Sequence, residues 1–206
     1  MLCRLQIVSY LQRCYNTSID YDNYYQLTKS IVHKVIYYES RESMNRLKAQ
    51  QVEIGYGDHT IINNLDVEIP DGKVTSIIGP NGCGKSTLLK ALSRLLTIKN
   101  GEIQLDGENI HTQSTKEIAK KIAILPQTPE VADGLTVGEL VSYGRFPHQK
   151  GFGRLSAEDK KEIDWALNVT GTSEFRHRSI NDLSGGQRQR VWIAMALAQK
   201  TDIIFL

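Results

Sequence analysis

Val74-Thr75-Ser76-Ile77-Ile78-Gly79-Pro80-Asn81-Gly82-Cys83-Gly84-Lys85-Ser86-Thr87-Leu88-Leu89 reads as an apolar strand, a glycine-rich turn and the start of a helix. Its middle, Gly79 to Ser86, fits G-x-x-x-x-G-K-[ST], the spacing that cradles the phosphates of a nucleoside triphosphate. Glycines let backbone N–H groups turn inward around the β- and γ-phosphates, where a side chain would obstruct them. The helix that follows points its positive end at the same oxygens. Gly79, Pro80, Asn81, Gly82, Cys83 and Gly84 make the loop; Lys85 adds a cation at the β/γ bridge. Ser86 offers a hydroxyl to Mg²⁺, and Thr87 is placed to help hold the α- and β-phosphates. Cys83 stands where several small residues would fit, so its thiol is read as packing rather than redox control.

Outward from the loop, the pattern is strand-rich, then mixed, then helical. Gln51–Tyr56 and Leu65–Ile69 read as strands, Asp71-Gly72 as a turn, and Ile103–Leu105 before Asp106-Gly107 as a hairpin. The helix after the loop is expected from Ser86 to about Leu96, with Leu88, Leu89, Leu92 and Leu96 on its buried side. Thr136-x-x-Glu139 and Ser156-x-x-Asp159 mark helix starts, and Gly171 marks a left-handed stop. Ile122–Leu125 is an apolar strand ended by Pro126-Gln127, and Thr201–Leu206 reads as a buried parallel strand.

The bulk figures exclude several classes. The 206 residues are 40% hydrophobic with a net charge of +2 and both signs interspersed. No basic stripe for nucleic acid stands out. No apolar run approaches the length of a membrane-spanning helix, so a membrane role would be peripheral. Cys3, Cys14 and Cys83 are scattered, with no C-x-x-C. That argues against a disulfide framework or a zinc site and for a reduced, cytoplasmic setting.

Leu183-Ser184-Gly185-Gly186-Gln187 supplies a second anion-binding helix start. The Ser184 hydroxyl and the N–H groups of Gly185 and Gly186 would crown a helix from about Gln187 to Gln199. This pentapeptide, running into Arg188-Gln189-Arg190-Val191 downstream of the phosphate loop, resembles the nucleotide-binding subunits of ATP-binding-cassette (ABC) transporters over roughly residues 44–206. The resemblance implies an α/β P-loop NTPase cassette: an N-terminal antiparallel β-subdomain, a mixed RecA-like core and a helical insert at about 128–182. It implies ATP and Mg²⁺ as ligands, and two copies head to tail with two ATP molecules between them. Ser184, Gly185, Gly186 and Gln187 would then meet the γ-phosphate bound to the partner copy. Tyr56 takes the place of the aromatic that stacks on adenine. Gln127 takes the place of the glutamine that reaches Mg²⁺ and the attacking water, so Lys85 and Gln127 are the catalytic candidates.

Within the insert, Val141-Ser142-Tyr143-Gly144-Arg145-Phe146-Pro147-His148 resembles ATPases serving iron–siderophore, haem and cobalamin importers, nearest the ferrichrome (hydroxamate) type. Gln189 to Gln199 resembles the same group. Arg145, Phe146 and His148 are read as a charged and aromatic surface patch, so a transmembrane permease is expected to dock near Gly144–His148. The implied function is an ATP-hydrolysing motor, peripheral on the cytoplasmic face of the membrane, with no nucleic acid partner. The alternatives are a cobalamin or haem importer ATPase, or a soluble non-transport ABC ATPase. The last group usually carries tandem cassettes or large insertions, and neither is seen here.

Two composition breaks remain. All sixteen glycines and all five prolines fall at or after Gly55, whereas seven of the nine tyrosines precede Met44. Residues 1–43 are read either as a helical arm, with Leu27, Ile31 and Val35 as its stripe, or as a start set too early. The second is preferred, because Met44 stands where family members begin. At the other end, the family's Asp-Glu pair would follow Leu206, so the C-terminal part is expected to be missing and these residues to bind ATP without hydrolysing it.

Overall fold

The computed structural model describes the backbone of residues 6–10, together with residues 45–125, 134–149 and 154–206. The described residues form two compact units, one ending at Gln113 and one beginning at Ser114. The first contains β1 (Gln6–Tyr10), β2 (Leu47–Tyr56), β3 (His59–Ile69), β4 (Val74–Ile78), α1 (Lys85–Leu92), β5 (Asn100–Leu105) and β6 (Glu108–Asn109). The second contains α2 (Thr115–Lys121), β7 (Ile122–Ile124), α3 (Val137–Tyr143), α4 (Ala157–Val169), α5 (Gly185–Ala198) and β8 (Ile203–Phe205), with short 3₁₀ turns at Phe146–His148, Ser173–Phe175 and Ile180–Asp182.

In the first unit, β2 is central to an antiparallel sheet ordered β3-β2-β5-β6. Leu47, Ala49, Val52 and Ile54 of β2 are buried with Ile62 and Val67 of β3 and Ile103 and Leu105 of β5. The alternation slips by one residue between Ala49 and Val52. A bulge absorbs it: Gln51 takes φ 49 and the register to both neighbours shifts there. Without that extra residue, every later side chain of β2 would face the opposite side of the sheet. Gly101 (φ 86) lies against the bulge, where a Cβ would stand 2.4 Å from the Gln51 carbonyl. Sequence alone shortens both strands of the first hairpin, which run back to Leu47 and His59 through a Gly57-Asp58 turn. The expected Asp106-Gly107 turn joins β5 to β6 with φ 56 and 83, the left-handed pair a tight hairpin requires.

α1 is shorter than its leucine spacing suggests. It ends at Leu92; Ser93 caps it and Arg94 takes φ 62, so Leu96 lies outside the helix. Leu88 and Leu92 are buried with Ala91, whereas Leu89 and Leu96 are half-buried. β1 pairs antiparallel with β4 from Gln6↔Ile78 to Tyr10↔Val74. The Leu27, Ile31 and Val35 stripe lies outside the described residues.

The second unit is built around α5. Val191, Ala194, Leu197 and Ala198 are buried with Leu140 and Val141 of α3 and Ile163, Ala166 and Leu167 of α4. Three helices carry reciprocal caps, in which a hydroxyl accepts from the N–H three residues on and that residue's side chain accepts in return: Thr136/Glu139, Ser156/Asp159 and Ser184/Gln187. α4 closes with Gly171 at φ 62, as expected. The Gly171 N–H donates to the Asn168 carbonyl at 3.1 Å and the Thr172 N–H to that of Leu167 at 2.9 Å, a Schellman termination. β7 and β8 pair in parallel from Ile122↔Ile203 to Ile124↔Phe205. The expected parallel strand is therefore present, with half-buried rather than buried side chains. Among the described residues no helix is long and apolar enough to cross a membrane.

Candidate functional site

The glycine-rich loop connects β4 to α1 as the spacing demands. Gly82 has φ 81 and Gly84 has φ 97, values that L-residues with a Cβ rarely adopt. A Cβ on Gly84 would also press on the side chains of Ile61 and Ile62 at 3.1 Å. The Cys83 N–H donates to the Pro80 carbonyl at 3.3 Å, tightening the turn. Lys85 Nζ donates to the Gly79 and Pro80 carbonyls at 2.9 and 2.8 Å and lies 3.9 Å from Cys83 Sγ. The loop thus organises its own cation. Pro80, Asn81, Gly82 and Ser86 are exposed, Gly79 is half-exposed, and Cys83 and Thr87 are buried. Tyr56 ends β2 with 47% of its surface exposed.

Helix starts separate binding from structure. α2, α3, α4 and α5 begin at Ser114, Thr136, Ser156 and Ser184, each accepting a hydrogen bond from the helix's third N–H. α1 begins at Gly84 with no side-chain cap. An α-helix leaves its first N–H groups without intrahelical partners, so α1 keeps a set of donors for something other than its own side chains. Acidic residues add to the contrast: α2 carries Glu117, α3 Glu139, and α4 Glu158 and Asp159 in the first turn, whereas α1 and α5 carry none. A carboxylate there would complement the helix dipole but repel a bound anion. The donors, glycine geometry and cation of the loop fit a polyphosphate.

At α5, Leu183 is buried while Ser184, Gly185 and Gly186 are exposed. Ser184 Oγ accepts from the Gln187 N–H at 3.3 Å, and Gln187 Oε1 accepts from the Ser184 N–H at 2.9 Å. Because Ser184 uses its oxygen as the acceptor, its O–H remains a donor that can be aimed at an anion. Sequence reading missed the reciprocal role of Gln187, which the Ser-x-x-Gln spacing carries. The helix also begins two residues earlier than expected, at Gly185. Gln127 and Pro126 lie outside the described residues, as do 128–133 and 150–153 of the expected insert.

The surface patch expected around Gly144–His148 needs correction. Phe146 is 74% exposed and Tyr143 is exposed beside it, but Arg145 is only 2% exposed. Its Nε donates to Asp159 Oδ1 at 2.8 Å and its Nη1 to the Ala198 carbonyl at 2.9 Å. Arg145 is a clamp inside the unit, not a surface charge. His148 is half-buried, its Nε2 donating to the Gln199 carbonyl at 2.7 Å. Burial pushes the Asp159 carboxyl up, but bonds from Ser156 and Arg145 outweigh it and hold the group below the usual aspartate range. No local signal could have revealed this, since Arg145 meets partners 14 and 53 residues away.

The ABC transporter family model matches residues 62–206. The chain belongs to the ABC transporter family. It is 61% identical to the iron(3+)-hydroxamate import ATP-binding protein FhuC of Bacillus subtilis, over 79% of this chain and 61% of the relative. It is 51% identical to the ferric enterobactin transport ATP-binding protein FepC of Escherichia coli, over 80% of this chain and 61% of the relative. Thus the chain spans about three-fifths of the length of these curated relatives. Among solved structures, cbiO1 from Clostridium perfringens, part of the ABC transporter complex cbiONQ, is 29% identical with a TM-score of 0.66, covering 78% of this chain and 64% of that one. MJ1267, an ATP-binding cassette of an ABC transporter in its ADP conformation, is 26% identical with a TM-score of 0.68, covering 78% and 67%. The ABC cassette fold accounts for both the antiparallel first sheet and the helical second unit.

Proposed function

We propose that this chain is the ATP-binding motor of an ABC importer for iron(III)–siderophore complexes, of the hydroxamate type. The observation that carries it is the uncapped, carboxylate-free start of α1 behind a glycine loop, in a chain whose relatives are named for siderophore import. ATP is the substrate. Gly79 to Gly84 and the first-turn N–H groups of α1 surround its phosphates, Lys85 neutralises the β/γ bridge, and Tyr56 stacks on adenine. Lys85 must leave the Gly79 and Pro80 carbonyls to do so, a small exchange of neutral acceptors for charged ones.

Mg²⁺ would be held by Ser86 together with phosphate oxygens, with Gln127 the further candidate. Among the described residues no group of three or more His, Cys, Asp or Glu could hold a metal ion, and an ion that keeps few protein ligands suits Mg²⁺. When bound, it spreads charge away from the β- and γ-oxygens. Ser184, Gly185, Gly186 and Gln187 would grip the γ-phosphate held by a second copy, so the working unit is a homodimer on the cytoplasmic face of the membrane. A permease would dock near Gly144–His148, through Tyr143 and Phe146 rather than Arg145.

Titration with a fluorescent ATP analogue tests the core of this reading. Lys85→Ala should weaken binding at least about tenfold, the order expected for losing one charge-assisted contact. A chain that binds no nucleotide, or binds equally well without Lys85, refutes it. Growth on single siderophores after gene disruption tests the cargo; loss on hydroxamates alone is the expected result.

A further inference from the structure

The C-terminal end of α5 is held by more groups than helix termination requires. Its Ala198 carbonyl accepts from Arg145, and the Gln199 carbonyl accepts from His148 Nε2 at 2.7 Å. The Gln199 side-chain amide reaches the other way, donating to the Ala119 carbonyl at 2.6 Å and the Ile122 carbonyl at 3.0 Å. Ala119 belongs to α2 and Ile122 opens β7, which is laddered to β8. One residue therefore joins α5, the segment bearing the exposed aromatics, and the β7–β8 pair. The segment also approaches α5 closely nearby: a Cβ on Gly144 would stand 2.2 Å from the Met195 carbonyl of α5. A primary amide suits the task because its single nitrogen carries two N–H donors, one for each carbonyl.

We propose that Gln199 is a positioning residue that makes these three parts move as one piece. The proposal rests on the reading of the chain as a permease-coupled motor. A displacement imposed at Tyr143 and Phe146 is then delivered through Arg145, His148 and Gln199 to the end of α5, and along that stiff helix to Ser184 at its start. The β7–β8 pair follows through the Gln199 amide. Without the amide, the two carbonyls turn to water and the helix end is free to shift against β7.

The test uses the full-length gene product containing these residues, in complex with its permease in lipid vesicles, with ferrichrome and its binding protein as the probe. ATP turnover is measured with and without the probe. Gln199→Met keeps the side-chain length and removes both donors; Gln199→Lys restores donors. Gln199→Met should lose about five- to tenfold of the stimulation while basal turnover and the KM for ATP stay within about twofold. Gln199→Lys should recover most of the loss. If Gln199→Met does not assemble, Gln199→Glu, equally long and without N–H donors, serves in its place. Full stimulation in the donor-less variant, or basal and stimulated rates falling together, overturns the proposal while leaving the motor function intact. An unstimulated wild-type complex that still binds ATP overturns both.

Discussion

Replacing Arg145 by Met tests the interior clamp most sharply. Arg145 and Asp159 are 2% and 4% exposed, so the variant leaves a carboxylate in a dry site with Ser156 as its remaining hydrogen-bond donor. Breaking a buried pair in this way costs about 3–5 kcal/mol. The Ala198 carbonyl also loses the Arg145 donor, about 1 kcal/mol more. Met fills much of the volume, so a net loss of about 4 kcal/mol is expected. Part of this is the stranded charge, and the double variant Arg145→Met/Asp159→Asn isolates it: Asn keeps an oxygen for Ser156, so the double change should cost about 1–2 kcal/mol less than the sum of the singles. The sign with pH follows from Asp159. Its carboxyl lies below the usual range in the folded chain, so its stabilisation is present above the unfolded value and is lost as pH falls through the lowered folded one. The gap between wild type and Arg145→Met should be widest near neutrality and narrow below about pH 4. Urea unfolding at neutral and acid pH measures it. A loss under about 1 kcal/mol at neutrality, or a gap that widens on acidification, would refute the buried-pair argument.

Three further outcomes follow from the geometry. Gly144→Ala places a Cβ 2.2 Å from the Met195 carbonyl, and should cost about 2 kcal/mol or more in urea unfolding; a neutral change would mean the segment can lift off α5. Gly84→Ala combines φ 97 with contact on Ile61 and Ile62, so it should remove measurable nucleotide binding while the far-ultraviolet circular dichroism spectrum stays native-like. Tyr56→Ala should weaken ATP by about tenfold through lost stacking and leave tripolyphosphate unchanged; equal effects on both ligands would place the ring elsewhere than against adenine.

Legibility followed the distance over which each feature is decided. The caps at Thr136/Glu139 and Ser156/Asp159 could be read directly, since donor and acceptor stand three residues apart. Gly171 could be read because its backbone conformation is set by its own missing Cβ. The α1 end is not legible because leucine spacing continues past Leu92 while the chain leaves the helix at Ser93. The β2 bulge was invisible: nothing local distinguishes Gln51, and its φ 49 answers to the pairing with β3 and β5. Arg145 reads as a surface charge for the same reason, since a sequence shows its charge but not the Asp159 and Ala198 that remove it from water.

By itself, the chain's sequence determined the phosphate loop, the Leu183–Gln187 start of α5 and the family they imply. Those rest on turns, caps and glycine conformations whose energies are settled within a few residues. Tertiary structure decided which charges are buried and which ends of helices are tied together. Arg145 is interior and Gln199 joins three elements because desolvation and hydrogen-bond satisfaction depend on neighbours brought in from far along the chain.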